Sequence, residues 1–163
     1  MLYSAGLLLI LLLDVAGKLL FVRGRAGLIG LPWLTLHSVC GVVEERVLEP
    51  LSNLSSGSNK IKVILFDFLP REPTELATML TLFCGASVDG QVRCQQKTFK
   101  LRGGTLVGSN MLHLAVVGLS MRTENELREF CSSWDPKLAL VRNDCFTFTQ
   151  ALEEFALSDS DQD

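Results

Sequence analysis

Cys145 stands where a helical pattern begins, directly after Asp144, and the reading of the whole chain turns on its chemistry. With Asp144 as the cap, the thiol takes the first helical position. Backbone N–H groups and the positive helix end there favour a thiolate. The capping carboxylate opposes that charge. Cys145 shares an inward face with Phe148 and Leu152, so the competing reading is a small buried hydrophobe. A nucleophile needs a base, and the chain has only two histidines, His37 and His113, both in segments that pattern as strands. An orienting carboxylate would come from Asp67, in the most apolar strand pattern, or from Glu44, near His37. Asp67 has a plainer alternative in a local ion pair with Arg71.

Other chemistries find little support. The five cysteines, Cys40, Cys84, Cys94, Cys131 and Cys145, form no CxxC. An odd and sparse set in a chain of 163 residues fits neither a disulfide scaffold nor a structural zinc site. Gly103-Gly104 and Gly108 lead into a strand pattern, not a helix, which is wrong for a phosphate loop. A net charge of −3 supplies no basic field for nucleic acid. No cofactor and no metal is expected.

The elements that must position these residues follow from periodicity. A hydrophobic content of 48% is enough for one domain with a core. Residues 33–43 and 60–68 pattern as strands, the second stopped by Leu69-Pro70. Pro73-Thr74 open a helix striped by Leu76, Met79, Leu80 and Phe83, with Gly85 as its left-handed end. Residues 92–101 alternate as a strand closed by Gly103-Gly104, and 111–119 read as a strand of interior character. Thr123 and Glu126 form the capping box of a helix striped by Leu127, Phe130, Cys131 and Trp134. A short strand at 138–141 precedes the last helix, whose face holds Cys145, Phe148, Thr149, Leu152, Phe155 and Ala156. The expected fold is α+β: a small mixed or antiparallel sheet with about three helices. Residues 26–157 form the domain, and 158–163 an acidic, disordered tail.

Residues 2–22 are mostly Leu, Ile, Val, Ala and Gly, broken by Asp14 and Lys18. As a helix this run is about long enough to cross a hydrocarbon core, and the two charges lie four apart and can pair. Residues 1–25 are therefore expected to be a hydrophobic N-terminal anchor. Lys18, Arg23 and Arg25 follow the apolar run, which puts the domain on the cytoplasmic or stromal side of a membrane. A cleaved signal and a two-span hairpin through residues 26–43 are the alternatives.

Two resemblances sharpen this. Asp67-Phe68-Leu69-Pro70 with Pro73, and Trp134-Asp135 through Asn143-Asp144-Cys145 into a polar–aromatic helix, resemble a family of uncharacterised plant proteins of chloroplast type, over about residues 60–157. That family often has a His before the Asp-Cys pair and another just after, where this chain has Asn143 and Phe146 or Thr147. It implies no established activity. More distantly, the order His37, Cys145, Phe148 is similar to that of circularly permuted papain-like thiol hydrolases, including lecithin–retinol acyltransferase-like and PPPDE-type peptidases. That resemblance implies a catalytic His on an early strand and a Cys opening a late helix, and it favours His37 over His113. Asp144 departs from the usual Asn-Cys context.

The expectation is a membrane-tethered papain-like thiol hydrolase or acyltransferase acting on an ester, thioester or amide. Its partners would be the membrane and a small acyl or peptide substrate. Cys145 attacks, His37 moves the proton, Asp67 orients the imidazole, and N–H groups at the start of the last helix hold the oxyanion. The alternative is a non-catalytic membrane-associated assembly or regulatory domain in which Cys145 only packs.

Overall fold

The computed structural model describes residues 18–26, 37–44, 60–109 and 112–158, and in it neighbouring residues along the core strands enter different cores. In β1 (Leu19–Ala26) Phe21 joins one cluster and Val22 the other. In β2 (His37–Glu44) Cys40 and Val42 oppose Val39 and Val43. In β3 (Lys60–Pro70) Phe66 and Phe68 oppose Ile61, Val63 and Leu65. Strands buried on both faces need a second layer on each side, and ring closure of the sheet supplies one of them.

The remaining strands are β4 (Val88–Arg102), β5 (Thr105–Val107), β6 (His113–Ser120) and β7 (Lys137–Leu138). β1 pairs with β2 and β6, β3 with β2 and β4, and β5 with β4 and β6, all antiparallel. The sheet therefore returns on itself as a six-stranded barrel, with β7 attached to the start of β4. Val22, Val39, Val63, Phe99, Leu106 and Leu114 fill the inside. Among the described residues there are three helices, α1 (Leu76–Phe83), α2 (Glu124–Ser133) and α3 (Cys145–Leu157). α2 and α3 cover the outer face of the barrel, where Phe148 packs against Phe68 and edge-on to Trp134. The fold is α+β, with a large antiparallel sheet.

Local chemistry explains the joints. Gly103 and Gly104 both have positive φ and make the two-residue turn from β4 to β5. Gly85, with φ of 80°, ends α1 as expected. The Thr123–Glu126 capping box opens α2.

Three expectations change. β3 continues through Leu69 and Pro70, which pair with Gln91 and Gly90; past its pairing with β2 the strand is an edge, where proline is tolerated. The α1 stripe faces outward, with Phe83 74% exposed, and Leu82 is the helix's buried residue. Periodicity marks an apolar face without saying that anything covers it. β6 is interior at Leu114, but Val116, Val117 and Leu119 are exposed. Its neighbour β5 reaches only His113 and Leu114.

The anchor boundary also moves. Leu19–Ala26 is strand β1, paired on both sides and burying Phe21 and Val22, so an N-terminal helix cannot extend through residue 25. The apolar run left, 2–17, would span about 24 Å as a helix, short of the roughly 30 Å hydrocarbon core. Residues 2–17 themselves, with 33–36, 51–59, 111 and 159–163, lie outside the described residues. Among the described residues no helix is long and apolar enough to cross a membrane.

Phe148 and Phe83 give a direct check on which apolar residues hold the fold. Phe148→Ala should cost about 3–5 kcal/mol in urea unfolding, and Phe83→Ala within about 0.5 kcal/mol of nothing.

Candidate active site

The site arises where two paired strands part. β2 and β3 are paired over Cys40↔Phe66, Gly41↔Leu65 and Val42↔Ile64 only. Beyond that, β2 runs back to His37 and β3 on to Pro70. His37 shares the alternation of Val39, and Asp67 that of Leu65, so both lie on the barrel-interior face at its mouth. There His37 Nε2 meets Asp67 Oδ2 at 3.5 Å.

α3 brings the sulfur to this mouth. Asp144 is its N-cap, with Oδ1 accepting from Phe146 N (2.9 Å) and Thr147 N (3.0 Å), and Oδ2 from Val141 N (2.9 Å). The Thr147 hydroxyl accepts from Asp144 N in return. Cys145 is thus the first helical residue, partly exposed, and its Sγ lies 3.5 Å from the Ser38 backbone N–H, next to His37. The His37 side chain is hydrogen-bonded to both Asp67 and Cys145. Cys145, His37 and Asp67, from three separate elements, therefore form one chain of contacts.

Arg93 completes it. It stands directly opposite Asp67 in the β3–β4 ladder and grips the carboxylate with Nε at 2.9 Å and Nη2 at 2.6 Å. Burial disfavours a charge on Asp67, but hydrogen bonds from His37 and Arg93 outweigh it and hold the carboxyl below its usual range. Burial likewise disfavours the imidazolium of His37. Its hydrogen bonds to Asp67 and Cys145 override this and raise the imidazole from 6.5 to about 9. The ring is therefore cationic at neutral pH.

Sequence reasoning missed Arg93 and named Arg71 instead. Arg71 gives its backbone N–H to Asp89, while the carboxylate of Asp67 is held by Arg93. The other candidates are not in this chain of contacts: Glu44 is at the opposite end of β2, paired with Leu19, and His113 is exposed on β6, two strands across from Ser38. The expected oxyanion donors are also altered, because the N–H groups of Phe146 and Thr147 are taken by Asp144. Ser38 N–H is the backbone donor found at the sulfur.

The other cysteines sit in different surroundings. Cys40 and Cys131 are buried in the apolar layer, where burial pushes the Cys131 thiol up to about 12 and Cys40 higher still. Cys84 and Cys94 are exposed. Among the described residues no group of side chains has the composition of a metal site. No protein-family model, curated protein or solved structure matches this chain.

Because the chain has only two histidines, the His37 imidazole can be titrated by NMR and assigned with His37→Asn. Its midpoint should lie near pH 9 and fall toward 6.5 in Asp67→Asn. A folded value above the unfolded one means that the native state binds the extra proton. His37's contribution to stability is then full below about pH 6.5 and lost as pH rises through about 9. A wild-type midpoint near 6.5 would contradict the described contacts.

Proposed function

We propose that this protein is a thiol hydrolase or acyltransferase acting on an ester, thioester or amide, with Cys145 as nucleophile, His37 as proton carrier and Asp67 as the group that orients the imidazole. The observation that carries this reading is the convergence of the Cys145 sulfur, His37 and the Arg93-clamped Asp67 at one barrel mouth. A packing cysteine needs no buried imidazole held between it and a carboxylate.

In the proposed reaction the reactive form is the Cys145 thiolate beside the His37 imidazolium, with the proton already on the ring. The sulfur attacks the carbonyl carbon, a C–S bond forms, and the oxygen takes the negative charge within reach of the Ser38 N–H. Collapse breaks the bond to the leaving group, which departs with the His37 proton. Water or an acceptor alcohol or amine then gives its proton to His37 and attacks the acyl-enzyme. The acyl product leaves and the sulfur is restored. Asp67, kept ionised by Arg93, holds the ring through Nε2 and stabilises its charge. The order of the three residues and the helix-start cysteine also support the likeness to permuted papain-like enzymes as the finer reading of the fold.

A thiol-directed acyl probe read by mass spectrometry tests the reading. Wild type should be acylated at Cys145 and turn over. Cys145→Ser should lose that mark, and His37→Asn should slow turnover by about 100-fold or more. Arg93→Gln should slow it by a smaller factor and lower the His37 midpoint. Equal labelling of wild type and Cys145→Ser, or of wild type and His37→Asn, would leave the cysteine as a packing residue.

Attachment to a membrane through residues 2–17 is a separate part of the proposal, as is a cytoplasmic or stromal placement of the domain. Deletion should stop at residue 17, since removal through 25 would take most of β1. The full chain should pellet with membranes and the shortened one should not. Both remaining soluble removes the attachment.

A further inference from the structure

Beside the sulfur, the antiparallel register lines up Ser38, Arg25 and His113 as one row across β2, β1 and β6. Directly opposite residues in such strands project on the same face with Cβ atoms about 5 Å apart. Ser38 is the residue whose N–H meets the Cys145 sulfur, so Arg25 is its next neighbour in the row and His113 follows. A second observation fixes Arg25 at the same place from the helix side: its guanidinium carbon lies 5.8 Å from the centre of the Phe146 ring, one residue past the nucleophile.

The charge of Arg25 is used differently from that of its neighbours. Arg23, two residues earlier on the same face, is paired with Glu153 at 2.9 Å. Arg93 is paired with Asp67, and Arg128 with Glu124. Arg25 is exposed, and among the described residues its recorded partner is an aromatic face, which orients a guanidinium without neutralising it. It also stands at the positive end of α3, where a cation gains nothing from the helix. His113 adds an exposed imidazole N–H donor beside it. The local carboxylates are already engaged, Asp144 by three backbone N–H groups and Asp67 by Arg93 and His37.

We infer that Arg25, with His113 next to it, is the specificity group of the site and receives an anionic group, a carboxylate or a phosphate, carried by the substrate close to its scissile acyl bond. The inference rests on the proposed nucleophilic role of Cys145. A planar fork suits either anion, and its place one strand from Ser38 sets the anion a few bonds from the attacked carbonyl. His37 and Asp67 act on the reacting atoms; Arg25 selects what arrives.

Charged thiol reagents test this without a known substrate. The full chain is treated with an anionic and a cationic methanethiosulfonate, and modification is quantified peptide by peptide, with exposed Cys84 and Cys94 as internal references. The anion-to-cation rate ratio at Cys145 should exceed that at the reference cysteines by about tenfold at low salt and shrink as salt rises. Arg25→Gln should lower the ratio at Cys145 severalfold, Arg25→Lys should keep most of it, and neither should change the reference sites. An Arg25→Gln ratio equal to wild type overturns the inference. Absence of any Cys145 modification in wild type overturns the catalytic reading instead, which separates the two failures. Inorganic phosphate or acetate should slow modification in wild type but not in Arg25→Gln. The more effective anion names the source, and slowing by neither overturns the inference.

Discussion

A carboxylate whose side chain is only 13% exposed, set over an aliphatic barrel interior, must be paired or protonated, and Asp67 is paired on two sides. The bidentate contact with Arg93 fixes the plane of the carboxylate and leaves Oδ2 facing His37. This pairing is bound to the architecture, because Asp67 and Arg93 are direct partners in the eleven-residue β3–β4 ladder that closes the barrel. A slip of one residue would turn Asp67 into the aromatic layer and send Phe66 and Phe68 into the barrel. Closure of the sheet and orientation of the imidazole thus depend on one register.

The sulfur is positioned by interactions far from the chemistry. α3 runs antiparallel to β1: Phe146 lies by Arg25 and, two turns on, Glu153 lies by Arg23. Phe148 and Leu152 anchor the helix in the apolar layer between those points, and Ala156 does so beyond them. Asp144 then decides where the helix starts, and so where Cys145 emerges. The parting of β2 from β3 above Cys40↔Phe66 provides the gap into which His37 and Asp67 project. Burial supplies the stability, and the strand ends, with fewer neighbours, carry the polar groups.

Local signals in the sequence were legible, and long-range ones were not. The Thr123–Glu126 capping box, Asp144 as the cap of α3, the glycine end of α1, the Gly103-Gly104 turn and the apolar face of α3 each depend on residues within a few positions of one another. Barrel closure depends on pairing β3 with β4 across α1, and β1 with β6 across most of the chain, which no local pattern encodes. Arg93 was missed for the same reason: its partner is 26 residues away, whereas Arg71 is a near neighbour in sequence. The outward stripe of α1 and the open flank of β6 show the converse, apolar periodicity with nothing described to cover it.

Asp144 puts a negative charge beside the sulfur, which by itself opposes a thiolate at Cys145. Three backbone N–H groups share the Asp144 carboxylate, so its charge is spent on closing the helix end and the 141–144 turn, which includes Val141 at φ of 71°. The charge facing the sulfur directly is the imidazolium of His37, itself sustained by Asp67. The two aspartates therefore divide the electrostatic work: Asp144 fixes where the sulfur is, and Asp67, through His37, fixes the charge it faces. The same use of the Phe146 and Thr147 N–H groups removes them as oxyanion donors, so the proposed chemistry leans on the Ser38 N–H of β2. In this arrangement strand β2 supplies both the proton carrier and the backbone donor from adjacent residues, His37 and Ser38, and the fork between β2 and β3 is what exposes them together.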